Sequence, residues 1–264
     1  MCTMTWLVTA GGYEIFFNRD ERRSRKAASP PAIHLAKGTR YIAPLDGDFG
    51  GSWLAVSERG LSLALENGYT DLDDLAHEPP SGFTSRGLLL TSLIDSRSTE
   101  EVVRRLREQD LHLYRSFLLA AFDPDGSGLL ASWIRGSLGI EPLIDDVMPL
   151  VSSSFETSEV RKSRCEVFRR MQREMEGDPV ELHLAYHESH LPERGPRSTC
   201  MHRPDAQTIS FSHIRVEGTE VRFHYVPRSP CRGRPDGDPV LPSELGGRSF
   251  AGGEDLEAGR PPAR

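Results

Sequence analysis

At 264 residues, with 37% hydrophobic and 8% aromatic side chains, the chain can bury a substantial core, and its formal net charge of −7 is wrong in sign for a general nucleic-acid binder. No apolar run approaches the ~18 residues of a membrane span, and the N-terminus lacks the basic region and unbroken apolar stretch of a signal peptide. The four cysteines, at positions 2, 165, 200 and 231, form no CxxC pair and no disulfide framework. The expectation is a cytoplasmic protein of a reducing compartment, without stable membrane insertion.

Thr3–Thr9 and Tyr13–Asn18 are rich in strand formers and flank the turn Ala10-Gly11-Gly12, so they predict a hairpin. Its second strand delivers Asn18, Arg19 and Asp20 to one end. Arg22 to Gly47 is polar and contains prolines, and reads as a long loop. "GGSWLAVSERGLSLALENG" predicts a second hairpin, with strands at Trp53–Ser57 and Leu61–Leu65, running out into Glu66-Asn67-Gly68. A helix is predicted over Ser85–Ile94, and another is announced by Ser98 with Glu101 three residues on. Phe117–Phe122, Leu129–Ile134 and Met148–Ser152 read as strands. Thr157 caps a helix to Met175, with Val160, Val167, Phe168 and Met171 at helical spacing. A short helix through Leu182–Tyr186 precedes three predicted strands, Ser198–His202, Thr208–Val216 and Val221–Val226. From Pro227 onward periodicity vanishes, which predicts a domain over 1–230 and a disordered tail over 231–264. Hairpins with inserted helices point to an α+β protein, two layered sheets covered by helices.

Removal of Met1 would leave Cys2 with a free α-amine, whose ordinary pKa of ~7.7–8.0 makes it a usable base for its own thiol at neutral pH. The first strand would hold this thiol at a sheet edge. Arg19 could stabilise a thiolate or bind an anionic substrate, Asp20 could orient the amine, and Asn67 could donate to an oxyanion. The plain alternatives are a second-position Cys without a role, a solvated charged turn and a turn-forming Asn. "HLAYHESH" places His183, His187 and His190 at helical spacing, but no Glu follows His183 as in HExxH; a helix surface is the simpler reading, and no metal is expected. "GDFGGSW" precedes a strand rather than a helix and is not a phosphate loop.

The stretches "MCTMTWL", "GYEIFFNRDERRSR", "GGSWLAVSERGLSLALENGY" and "RSTCMHRPDAQTIS" resemble the NRDE protein family. That family is named for its Asn-Arg-Asp-Glu motif and includes the transport and Golgi organisation protein 2 homologues. The resemblance spans Met1 to about Tyr225 and implies an Ntn-hydrolase-like αββα sandwich of two mainly antiparallel sheets, with Cys2 as N-terminal nucleophile. More distantly, the start is similar to choloylglycine hydrolases and penicillin V acylases, which cleave amides with an N-terminal Cys. Those enzymes place an Arg where Phe17 stands here, with Arg19 displaced, and use a later Asn where "LVSSSFETSEV" offers Ser152, Ser153 and Ser154. Cys2, Asp20, Arg19 and Asn67 are therefore the expected catalytic residues, and Asn18, Arg197 and Ser153 the expected substrate contacts. The expected function is hydrolysis of a small amide or related acyl substrate through a thioester, without a cofactor. The alternative is a non-catalytic ligand-binding or trafficking protein that keeps the fold.

Overall fold

A computed structural model describes residues 2–70 and 82–233. Two antiparallel sheets pack face to face. The first is five-stranded, in the order β10-β1-β2-β11-β12, from β1 (Cys2–Thr9), β2 (Gly12–Arg22), β10 (Leu150–Ser152), β11 (Ala206–Glu217) and β12 (Glu220–Val226). The second is seven-stranded and runs in chain order: β3 (Ser29–Ala36), β4 (Thr39–Leu45), β5 (Leu54–Ser57), β6 (Ser62–Asn67), β7 (Phe117–Phe122), β8 (Gly128–Ile134) and β9 (Ser137–Pro142). Strand alternation sends Met4, Trp6, Tyr13, Ile15 and Phe17 from one sheet, and Leu54, Val56, Ala64, Ala120 and Phe122 from the other, into a shared inner layer. Each large side chain buried there contributes roughly 1.5–3 kcal/mol.

The outward face of the second sheet is apolar too and needs a cover. Helices α1 (Arg86–Leu93) and α2 (Thr99–Arg107) pack Leu89, Leu90, Leu93, Val102 and Leu106 against Leu63, Leu65 and Leu119 of the second sheet. Ser98 caps α2 by accepting from the Glu101 N–H, as its sequence predicts. Helices α3 (Thr157–Glu174) and α4 (Pro179–Glu188) cover the first sheet. The architecture is the α+β sandwich expected from the sequence.

Several local expectations need correction. Arg22 to Gly47 is not a loop: it contains the β3–β4 hairpin, turned by Lys37 and Gly38 with φ of 46° and 85°. Pro30 and Pro31 disguise β3, and the pairing is irregular between Ser29 and Ala32 where they fall; an edge strand tolerates their missing donors. The exposed edge strand β9 was not anticipated. Ser198–His202 forms no strand, only an isolated bridge between His202 and Gln207. The chain beyond Pro227 is ordered at least through Pro230–Arg232, a 3-10 turn, while residues 234–264 of the expected tail lie outside the described residues.

Candidate active site

Cys2 begins β1, directly opposite Arg19 on β2 and Ser152 on β10. The strand is therefore interior to its sheet, not at an edge as expected, and the thiol sits at the strand's end. Cys2 shares the inner-layer face with Met4 and Trp6, is 8% exposed, and lines a cleft of about 630 Å³. Burial pushes its thiol up to about 12, and the Glu66 and Asp20 carboxyls act in the same direction. A thiol in that state is protonated at neutral pH and attacks only with a base beside it.

Asp20 follows Arg19 and, by alternation, faces the helical layer. Its Oδ2 lies 3.2 Å from both Nη1 and Nη2 of Arg164 on α3, and the Thr208 hydroxyl donates to its Oδ1 at 2.6 Å. A register irregularity between Thr208 and Ser210, opposite Asp20 and Arg19, sits beside this contact. Arg164 also donates to the Thr3 hydroxyl, so one buried guanidinium ties α3 to β1 and β2 at the cleft. Sequence reasoning passed over Arg164, although it occupies the apolar stripe between Val160 and Val167. An arginine on the face that docks is a signal of a buried partner.

Arg19 is held flat in the cleft. Its guanidinium carbon lies 3.8 Å from the Trp53 ring centroid, and its Nη2 pairs with Asp46, which also pairs with Arg25. Its Nη1 is buried without a hydrogen-bond partner. The glycine-rich loop before Trp53 closes on α1: Ser52 N–H donates to Gly87 O at 3.1 Å, and a Cβ on Gly51 would fall 2.4 Å from the Gly87 carbonyl carbon.

Asn67 reaches the same cleft from the other sheet. Its Nδ2 donates to the Tyr69 hydroxyl at 2.7 Å, and its carbonyl accepts from the Ser152 hydroxyl at 2.7 Å, which stitches the two sheets together beside Cys2. Glu66, missed by sequence reasoning, precedes it. Its side chain belongs to the opposite face of β6 with Ala64, is 1% exposed, and has no hydrogen-bond partner on either oxygen. Burial raises its carboxyl to about 8, with Arg164 opposing and Asp20 adding.

Three expected substrate contacts lie elsewhere. Asn18 faces the helices and donates to the carbonyls of His187 and Thr199 at 2.9 and 3.0 Å. Ser153 closes a turn onto Phe155 O, leaving Ser154 and Phe155 to line the cleft. Arg197 is 43% exposed and pairs with Glu156 at the surface. His183 and His187 are buried rather than on a helix surface: the Thr5 hydroxyl lies between them, 2.7 Å from His183 Nδ1 and 3.0 Å from His187 Nε2.

The charges of the cleft run against those of the whole chain. Arg19, Arg22, Arg25, Arg86, Arg115 and Arg203 line it, against the carboxylates of Asp20, Glu21, Asp46 and Asp205. Phe49, Trp53, Tyr69 and Phe83 add aromatic wall. Such a cleft favours an anionic group carried on a partly apolar body.

Two face-to-face antiparallel sheets between helical layers, with a cysteine opening the first strand, define an Ntn-hydrolase-type fold. The structure resembles the N-acylethanolamine-hydrolyzing acid amidase ortholog of Caenorhabditis elegans, with a TM-score of 0.57 over 88% of this chain and 96% of that one at 14% identity. Against conjugated bile acid hydrolase from Clostridium perfringens the TM-score is 0.52, over 90% of this chain and 95% of that one at 12% identity. Penicillin V acylase from Agrobacterium tumefaciens gives 0.50 over 85% and 82% at 14% identity. At these identities the likeness establishes the fold alone. The chain belongs to the family described as Transport and Golgi organisation 2, which its residues 1–173 match. None of the curated proteins matches it.

Proposed function

We propose that this protein is a cysteine-nucleophile hydrolase that cleaves an amide or related acyl bond in a small substrate bearing an anionic group. The observation that carries the reading is the placement of Cys2 in the arginine-lined cleft, paired across strands with Arg19, beside an Asp20 fixed by Arg164 and Thr208. Once Met1 is removed, the α-amine of Cys2 takes the thiol proton as Sγ attacks the carbonyl carbon. The oxyanion is held by backbone N–H groups and the Asn67 amide, which turns from Tyr69 to do so. Collapse breaks the carbon–nitrogen bond, the leaving amine takes the proton back, and a thioester remains. Water then attacks the thioester, releasing the acid and restoring the thiol. Asp20 orients the amine, and Arg19 supplies positive charge at the cleft wall.

The test combines mass spectrometry of the mature N-terminus with labelling by an activated acyl probe. Chains lacking Met1 should form a hydroxylamine-sensitive thioester at Cys2. Retained Met1 moves the nearest free amine away by one Cα step of ~3.8 Å, beyond direct proton transfer at ~2.6–3.2 Å, and most labelling should be lost. Cys2→Ala should abolish it and Cys2→Ser leave a weak remnant. Equal labelling of Met1-retained and Met1-cleaved chains would remove the amine as base. A second reading, a binding protein for small anions, draws on the engagement of Asn67 by Tyr69. Saturable binding of carboxylates by a correctly processed chain that never acylates would favour it.

A further inference from the structure

A second constellation lies outside the cleft, on the far side of the Asp20 support. His190 follows α4, Cys200 and His202 occupy the irregular segment that the sequence predicts as a strand, and Cys231 sits in the 3-10 turn Pro230–Arg232. One ligand atom from each lies within 4.8 Å of the other three. His202 Nε2 is 3.6 Å from Cys200 Sγ and 3.4 Å from Cys231 Sγ. The His190 and His202 rings meet edge to face at 5.1 Å between centroids.

We propose that His190, Cys200, His202 and Cys231 form a tetrahedral Cys2His2 site for a structural zinc ion. Zinc bonds of ~2.3 Å to sulfur and ~2.0–2.1 Å to nitrogen, opened to the tetrahedral angle, give sulfur–nitrogen edges of about 3.6 Å. The two measured separations match that edge. A thiol–imidazole hydrogen bond could account for one of them, but the cluster offers His202 Nε2 two sulfurs at once. His190 Nε2, meanwhile, is buried with no hydrogen-bond partner, as expected of a ligand atom whose partner is an ion. Four protein ligands leave no open position, so the site is a clamp rather than a catalytic centre. Soft sulfur with imidazole in this geometry selects zinc over magnesium or calcium. Binding releases the two thiol protons and leaves the ion charge-neutralised by two thiolates.

What the clamp fastens is specific. Cys200 N–H donates to Ser189 O at 3.0 Å, and Thr199 O accepts from Asn18. Met201 O accepts from the Thr208 N–H, and the Met201 N–H donates to the Thr208 hydroxyl, which in turn donates to Asp20. Zinc would thus pin the end of α4 and the segment around Cys231 to the shelf under Asp20, which departs from the metal-free expectation of the sequence.

The full-length chain, purified in reductant, should contain one zinc per molecule by plasma mass spectrometry. Cobalt exchanged for zinc should show sulfur-to-metal charge transfer and the ligand-field bands of tetrahedral Co2+. Cys231→Ser and His190→Asn, both at partly exposed positions, should lower the zinc content at least ~10-fold, whereas Cys2→Ala should leave it unchanged. A strong chelator should lower the melting temperature of the native chain but not of Cys231→Ser. Reduced protein that takes up no zinc from ZnCl2 would overturn the proposal, as would equal zinc in native and Cys231→Ser chains. None of these readouts depends on hydrolysis, so the two proposals fail separately.

Discussion

Glu66 is a carboxyl placed where water cannot reach it and where no donor meets it, and that has a thermodynamic consequence. Its ordinary value of 4.5 rises to about 8 on folding of the unprocessed chain. Between those limits the folded state keeps a proton that the unfolded state has lost. Stability therefore falls as pH rises from about 4.5 toward 8. Glu66→Gln should match the native chain near pH 4.5 and exceed it by on the order of a few kcal/mol above pH 8, as urea unfolding at both pH values would measure. An unchanged gap at the two values would mean that Glu66 is ionised in the fold. Asp20 and Arg164 make the opposite case, a buried pair. Removing Arg164 as Arg164→Met strands the carboxylate and should cost roughly 3–5 kcal/mol. Asp20→Asn in the same chain should recover much of that loss, and the double-mutant cycle checks it. Cys2, Arg19 and Asp20 were legible in the sequence because they stand in a motif at the chain's start. Glu66 and Arg164 were not, because their importance comes from burial, which one sequence does not display.

At the scale of elements, α4 docks on β1 and β2 through aromatic and imidazole rings. His183 stacks on Phe16 at 4.8 Å, while Glu14 and His213 belong to the same patch. Burial lowers His183 to about 4, His213 adding to the effect and Glu14 opposing it. The unfolded imidazole, near 6.5, binds a proton that the folded one refuses. Stability is thus intact above pH 6.5 and is lost as pH falls from there through about 4. His183→Gln should flatten the decline in denaturation midpoint between pH 7 and pH 4.5. A slope unchanged from the native chain would assign the acid sensitivity to other groups. The helix itself was read only in part, as Leu182–Tyr186 within Pro179–Glu188, whereas β7, an apolar run bounded by a "DPDGSG" turn, matches Phe117–Phe122 residue for residue. The β3–β4 hairpin was not readable, because Pro30 and Pro31 are tolerated only through an edge position that the whole sheet confers. "STCMH" reads as a strand from its composition, yet its backbone bonds go to Ser189, Gly195 and Thr208 instead of a ladder.

For the whole molecule, the net charge of −7 is a sum over the full chain and does not describe the cleft, where six arginines meet four carboxylates. Cys2 lines a cleft in which arginines outnumber carboxylates, which raises the local positive potential. The sheet orders carry a further consequence for how the chain is made. In the seven-stranded sheet every strand pairs with its sequence neighbour, so that sheet can close as soon as residues 29–142 have emerged. The β1–β2 hairpin has no such luck: its flanking partners are β10, at residues 150–152, and β11, at residues 206–217. Synthesis thus delivers Cys2 first and completes its surroundings last. During elongation the hairpin holding Cys2, Arg19 and Asp20 waits with both ladders open, the condition that invites pairing with foreign strands and slows folding. Ribosomes stalled before β11 would display an apolar hairpin in need of a chaperone, and the cleft would come into being only as the final strands dock.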